Sequence, residues 1–314
     1  MVKTGLAVAL AAVLLAGCGS GSIPSSTSSS SGLASAYKTT VWEDNFAADP
    51  GGTPSPTLWA AEVGNGSGAP YNNPGWGNNE KEYYLASDAT VAGGTLNLHG
   101  FADPSVAGDV CSGAPCAYSS AKITSVQTVD LSKPGFLEVK AALPTAAGAW
   151  PAIWLLPGTS PVAPNPGVQP TWPSGGEIDM AEWLGSLFAG QDSLIQSTFH
   201  MPSGPAPYTD SYEYQKANLA TPVSSFHLYQ LAWKPGQIEF AIDNQPLMTC
   251  TQSTMSCTPI NGGNVTAASI WPYGTTYSQY YLIMNLAIGG NLGGTPAPGF
   301  DQTMQVAYVR YMTP

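Results

Sequence analysis

The chain has 314 residues, of which only 9% are charged; its formal net charge is −11, and Arg310 is its only arginine. Such an acidic balance repels phosphate backbones and other polyanions, so nucleic acid is not an expected partner and a neutral substrate is. Nine Trp and fifteen Tyr suit stacking on the faces of sugars, although most aromatics of a β-rich domain pack inside it.

The N-terminus reads Met1-Val2-Lys3, then an apolar run from Gly5 to Leu15, then Leu15-Ala16-Gly17-Cys18. The run is shorter than the ~20 residues of a membrane span and follows a positive start, so residues 1–17 are expected to be a secretory signal. Leu-Ala-Gly-Cys resembles the bacterial lipoprotein box. Cys18 would then be the lipidated first residue of the mature chain and its contact with a membrane, and the protein would be exported, anchored at the cell surface or secreted. Residues 18–36 are rich in Gly, Ser and Thr and read as a flexible linker. The folded domain is expected at 37–314. Without Cys18, four cysteines remain in an exported chain, and three pairings are possible. Short spacing favours Cys111 with Cys116 and Cys250 with Cys257 as staples of two loops. An oxidising compartment makes thiol ligation of a metal a weaker reading.

Beyond the linker, no stretch carries a 3.6-residue apolar period, while Gly, Pro, Ser and Thr are abundant, so the fold class is all-β. Val41 to Phe46 reads as a first strand. Gly75-Trp76-Gly77-Asn78-Asn79-Glu80 reads as a turn that brings backbone and an aromatic close to a ligand. Alternating strands follow at Gly94 to His99, with His99 structural, at Ala121 to Ser125 and at Gly135 to Leu143. Gly148 to Pro157 is nearly continuous in apolar residues, the pattern of a strand buried on both faces, with Trp150 and Trp154 as candidates either for the core or for a cleft. After a Pro-rich loop come the acidic stretch and a strand from Ser193 to His200. Ser225 to Trp233 and Gln237 to Asp243 form a hairpin around Lys234-Pro235-Gly236. Tyr281 to Gly290 is apolar except for Asn285, which must find a partner. Gln305 to Tyr311 closes the domain.

The chemistry is concentrated in Gly176-Glu177-Ile178-Asp179-Met180-Ala181-Glu182-Trp183. On a strand, side chains alternate with period 2, so Glu177 and Asp179 share a face while Ile178 and Met180 take the other. Glu182 falls on the wrong parity. One extra residue at Met180-Ala181, held as a β-bulge, returns it to its partners, and bulges are common beside active sites. Two outer Glu side chains bending toward the central Asp reach the carboxyl separation of about 5–5.5 Å used by retaining glycosidases. A merely solvated acidic face fits less well, because apolar residues flank the acids and like charges on one face repel. The neighbouring strand places His200 within reach of the row.

With these motifs in order, the chain from about Tyr37 to Met312 resembles glycoside hydrolase family 16. The resemblance rests on Trp42 to Phe46, Gly75 to Glu80, Gly135 to Pro144, Trp150 to Pro157, Glu177 to Glu182, the Phe226 to Asp243 hairpin and Asn285 to Gly290. It implies a concanavalin-like jelly-roll sandwich of two curved antiparallel sheets. Glu-x-Asp-x-x-Glu with its bulge is similar to the laminarinase side of the family, and Trp150 to Trp154 and Asn285 to Gly290 lean toward β-1,3-glucanases. By this resemblance Glu177 is the nucleophile, Glu182 the general acid/base and Asp179 their electrostatic assistant, with His200 supporting them. Asn78, Glu138, Trp150 and Asn285 would line the sugar subsites, with Lys140 and Trp183. Lys140 stands where the family usually has an arginine, and it cannot offer the same bidentate fork. Asn45 and Ala307 replace carboxylates that bind calcium in many relatives, so no metal is expected, nor any cofactor. The expected protein is a monomeric endo-acting β-glucan hydrolase; the same fold acting on mixed-linkage β-glucan or agarose, a transglycosylase and a non-catalytic glycan-binding sandwich are the competing readings.

Overall fold

The strand patterns of the sequence assemble into two large sheets in the computed structural model, which describes residues 33–47, 52–68, 71–166 and 169–314. The segment expected to be a signal, Cys18 and the expected linker as far as residue 32 lie outside the described residues. One sheet has eight strands, in the order Gly262–Gly263, Thr209–Asn218, Leu194–Ser203, Glu177–Glu182, Ala149–Pro157, Gln279–Ile288, Lys122–Asp130 and Trp59–Ala61. The acidic strand is therefore an interior strand, flanked on both sides. The other sheet has eleven strands and is centred on Gly135–Ala142 and Asp301–Thr313. The C-terminal strand is longer than its sequence pattern indicates and pairs with Thr39–Asp44, Gly135–Ala142 and Thr95–Ala102. Among the described strands pairing is antiparallel except between Glu82–Tyr84 and Tyr118–Ser120, which run parallel.

The core lies between the sheets, and parity decides who enters it. Leu137, Val139 and Ala141 from one sheet meet Ile153, Leu155, Ile178, Phe199, Leu282, Met284 and Leu286 from the other, all of them buried. Removing that apolar area from water, at about 25 cal/mol per Å², is the main favourable contribution to the sandwich. Both disulfides form as the spacing favours, Cys111 with Cys116 and Cys250 with Cys257. Missing from the sequence reading were Thr209–Asn218, Gln245–Thr251 and Ser256–Thr258; polar residues at core positions, such as buried Glu213, hide their alternation.

The same parity corrects three expected sugar-binding residues. With Leu137, Val139 and Ala141 turned inward, Glu138 and Lys140 must take the outer face of the eleven-stranded sheet, away from the acidic strand. Glu138 is buried there in a polar network. It pairs with Arg310 at 2.6 Å and accepts hydrogen bonds from Gln230 at 2.6 Å and Tyr308 at 2.7 Å. Lys140 lies opposite Tyr308 and Leu228. Trp183, past the end of the acidic strand, is fully buried against Phe188, and its indole N–H donates to the Gln191 carbonyl at 3.5 Å. Its side chain is core, not cleft.

Glu138→Ala should therefore act on stability. It leaves the Arg310 guanidinium without its carboxylate and is expected to cost about 3 kcal/mol in denaturant unfolding. Affinity for a sugar in the cleft should be unchanged in equilibrium binding.

Candidate active site

Gly176 opens the acidic strand with φ +69°, a conformation that favours glycine, and a Cβ there would collide with the Tyr273 hydroxyl. Tyr273 in turn accepts from the Glu177 backbone N–H at 3.1 Å, which fixes the start of the strand. The bulge is where the sequence puts it. On one side Trp154 lies opposite Asp179, while Ile153 and Ala152 lie opposite Ala181 and Glu182. On the other, Glu177 faces His200, Asp179 faces Thr198 and Glu182 faces Gln196. Three steps on the acidic strand match two on its neighbour. The extra backbone at Met180 and Ala181, both buried in the core, returns Glu182 to the face of Glu177 and Asp179.

Each carboxyl then finds a different donor. Glu177 accepts from the Trp172 indole N–H at 2.7 Å. Asp179 meets His200 Nε2 at 3.1 Å, and His200 Nδ1 meets Asp210 at 3.0 Å. Glu182 accepts from the Trp150 indole N–H at 2.9 Å and from the Thr198 hydroxyl at 3.3 Å. Asp179 and Glu182 are buried, whereas Glu177 is partly open to the cleft.

Burial and mutual repulsion set the protonation of the group. Desolvation first, then the Asp179 charge, pushes Glu177 up to about 8. Desolvation and the Glu182 charge push Asp179 up to about 6, against the pull of His200. Glu182 is raised mainly by burial, with the Trp150 hydrogen bond opposing. Burial by itself would neutralise His200, but hydrogen bonds to Asp179 and Asp210 outweigh it and hold the ring well above its ordinary range. The three carboxyls and the imidazolium thus titrate together. Ligand atoms of Glu177, Asp179 and His200 lie within 4.8 Å of one another, a spacing that a metal could use. A protonated imidazole has no lone pair to offer one.

The cleft floor continues across the sheet. Asn285 accepts from the Trp154 indole N–H at 2.8 Å and donates to the Tyr84 hydroxyl at 3.0 Å. Tyr84 and Asn78 both donate to Glu80, each at 3.3 Å. Lys122, opposite Asn285, lies 3.8 Å above the Trp76 ring and pairs with Glu62 at 2.8 Å. The structure therefore brings Glu177, Asp179, Glu182, His200, Trp150, Asn285 and Asn78 to one face, and leaves Glu138, Lys140 and Trp183 elsewhere. Asp210, Trp172 and Thr198 were not read from the sequence. Thr198 sits on the expected neighbouring strand and was readable by parity, but Trp172 lies in a Pro-rich loop and Asp210 on an unread strand, so neither had a local signal.

Residues 93–283 match the family described as Glycosyl hydrolases family 16. A glucan endo-1,3-beta-glucosidase A1 of Niallia circulans is 31% identical over 290 residues, covering 86% of this chain; the chain spans 37% of that protein's length. A beta-glucanase of Rhodothermus marinus is 28% identical over 86% of this chain and 83% of its own. Among solved structures, the laminarinase catalytic domain of Thermotoga maritima superposes with a TM-score of 0.68 at 26% identity, over 88% of this chain and 98% of that one.

Clustering acids in this way has a thermodynamic sign. A carboxyl raised from 4.5 to about 8 binds more protons folded than unfolded, so it withdraws stability as pH rises through that window. Water reaching Glu177 moderates the effect. Glu177→Gln, which can still accept from Trp172, should melt roughly 2–4 °C higher than the parent above pH ~8, with the difference vanishing below pH ~4. Thermal melts at the two pH values read this directly.

Proposed function

The chain belongs to glycosyl hydrolases family 16, and from that premise we propose that it is a retaining endo-glycosidase that cleaves internal β-1,3 linkages of a β-glucan. One observation carries the reading: a bulged strand that turns three carboxyls to one face of a sheet and gives each its own donor. The names of the glucanase relatives and of the laminarinase structure support the choice of substrate, as does a net charge of −11, which disfavours a polyanion.

The roles follow from the partners. Glu177 attacks the anomeric carbon as the glycosidic C–O bond breaks, and Glu182 gives its proton to the departing oxygen. Glu182 then takes a proton from water, whose oxygen displaces Glu177 from the glycosyl ester, and two inversions give net retention. The reactive state needs Glu177 ionised and Glu182 protonated. Burial and the Asp179 charge raise Glu177, and the His200 charge and the Trp172 N–H pull it back toward the anion; burial also raises Glu182, against the Trp150 hydrogen bond, so the reactive state is one arrangement of the protons that the group shares. Asp179 couples the two: its bond to His200 brings positive charge to the centre of the row, and its own charge discourages a second ionisation beside it. His200, oriented by Asp210, acts through Asp179 as a positioning residue.

We further propose that the protein acts at a membrane surface as a monomer on a lipidated Cys18, with the linker supplying reach. Two disulfides suit an exported chain.

Glu177→Gln should lower release of reducing sugar from soluble β-1,3-glucan by at least ~10⁴-fold, the scale for loss of a nucleophile, while circular dichroism stays unchanged. Activity near the parental level would remove Glu177 from its role. A product series of mixed oligosaccharides from laminarin, with no comparable turnover of agarose, fits the substrate assignment; turnover of the galactan alone would overturn it. Cys18→Ala should move the protein from the membrane fraction to the soluble fraction of expressing cells.

A further inference from the structure

The cleft floor ends in a second pair of buried carboxyls that the mechanism above does not use. Glu82 is fully buried and Glu80 nearly so, at 6% exposure, and their carboxyls lie close enough to share a proton. Two adjacent carboxylates cannot accept from one another, so one of them must carry a proton. The surrounding donors decide which. Glu80 receives two hydrogen bonds, from Asn78 Nδ2 and from the Tyr84 hydroxyl. Glu82 accepts, on Oε2, from the Ile288 backbone N–H at 2.7 Å. Its other oxygen, Oε1, is buried and receives no donor among the described residues. An acceptor left bare in the interior is costly, whereas a hydroxyl there that donates to Glu80 is satisfied. Lys122 also faces the pair and favours charge on Glu80. It is itself paired with Glu62, which also accepts from the Tyr71 hydroxyl, and the Tyr84 hydroxyl donates to Glu80.

The anion on Glu80 has work to do. The loop before it holds Gly75, Trp76, Gly77 and Asn79 at φ values of 61°, 54°, 79° and 58°. Left-handed conformations at non-glycine residues cost of order 1 kcal/mol or more each, so this segment persists only if its ends are held. Glu80 holds Asn78 directly, and through Tyr84 it orients Asn285 and thereby Trp154.

We propose that Glu82 is a permanently protonated carboxylic acid whose O–H donates to the Glu80 carboxylate, and that this proton positions Asn78, Asn285 and Trp154 for binding of the glucan chain. Both residues are positioning residues, acting on substrate affinity and not on bond cleavage. The role in binding rests on the glucanase reading above; the location of the proton does not.

Three variants test it on soluble β-1,3-glucan. Glu82→Gln replaces the O–H with an amide N–H and keeps an oxygen for Ile288, so KM should stay within about 2-fold of the parent. Glu82→Ala, and Glu80→Gln, whose amide confronts the donors of Asn78 and Tyr84, should each raise KM by about 10-fold or more with kcat within about 3-fold. Should Glu82→Ala fail to fold, the contrast between Glu82→Gln and Glu80→Gln carries the same comparison. Infrared difference spectra at neutral pH need no substrate. The C=O stretch of a neutral carboxyl should be lost in Glu82→Gln and kept, for this site, in Glu177→Gln. Persistence of that band in Glu82→Gln, equal KM effects for Glu82→Gln and Glu82→Ala, or unchanged KM in all three variants would each overturn the proposal. Failure of the parent enzyme on glucan would sink the glucan reading instead, while the infrared band still reports the proton.

Discussion

Several carboxyl groups held side by side out of water cannot all be ionised, and much of this structure is an answer to that constraint. Like charges at close range in a site of low polarisability cost more than folding can offset, so protons stay on, or donors and cations come in. At Glu177, Asp179 and Glu182 both occur. Protons remain on part of the trio, an imidazolium meets the central Asp179, and the indoles of Trp172 and Trp150 meet the outer acids. The result is a group in which moving one proton changes the affinity of every other member for its own. That is the property double displacement at a sugar carbon requires.

The sandwich makes such a group affordable by dividing each strand between two environments. Ile178 and Met180 anchor the acidic strand in the core, while the alternate residues form the row. A regular strand would place only two of the three acids on the open face. The bulge spends one residue of pairing to recruit the third. It also bends the ladder at the place where Trp154 and Ala152 pass from one acid to the next.

A second solution to the same constraint stands at the far end of the cleft floor. Glu80 and Glu82 meet in the absence of an imidazolium, and a single proton between them takes its place. The trio and the pair do different work. The trio shares its protons because its members are coupled to one another and Glu177 is partly open to the cleft, whereas Glu82 is sealed from water and its proton serves geometry.

The order of residues by itself determined the all-β class, the row of acids, the need for a bulge at Met180-Ala181 and the nearness of His200, because these follow from alternation along single strands or between sequential neighbours. The disulfides were legible for a similar reason, each closing a short loop. Tertiary structure decided the rest. Glu138 and Lys140 alternate with apolar residues as a cleft-lining pair would, but alternation does not say which sheet a strand joins, and theirs is the sheet without the acids. Trp183 follows the last acid, yet the chain turns there and buries the ring. Tyr84 and Asn285 are 201 residues apart in the chain, while Asp210 and Trp172 lie near their partners but in a strand and a loop that carry no local signal. Period and parity describe one strand at a time; which strands become neighbours is settled by burying the most apolar surface while leaving every buried polar group a partner.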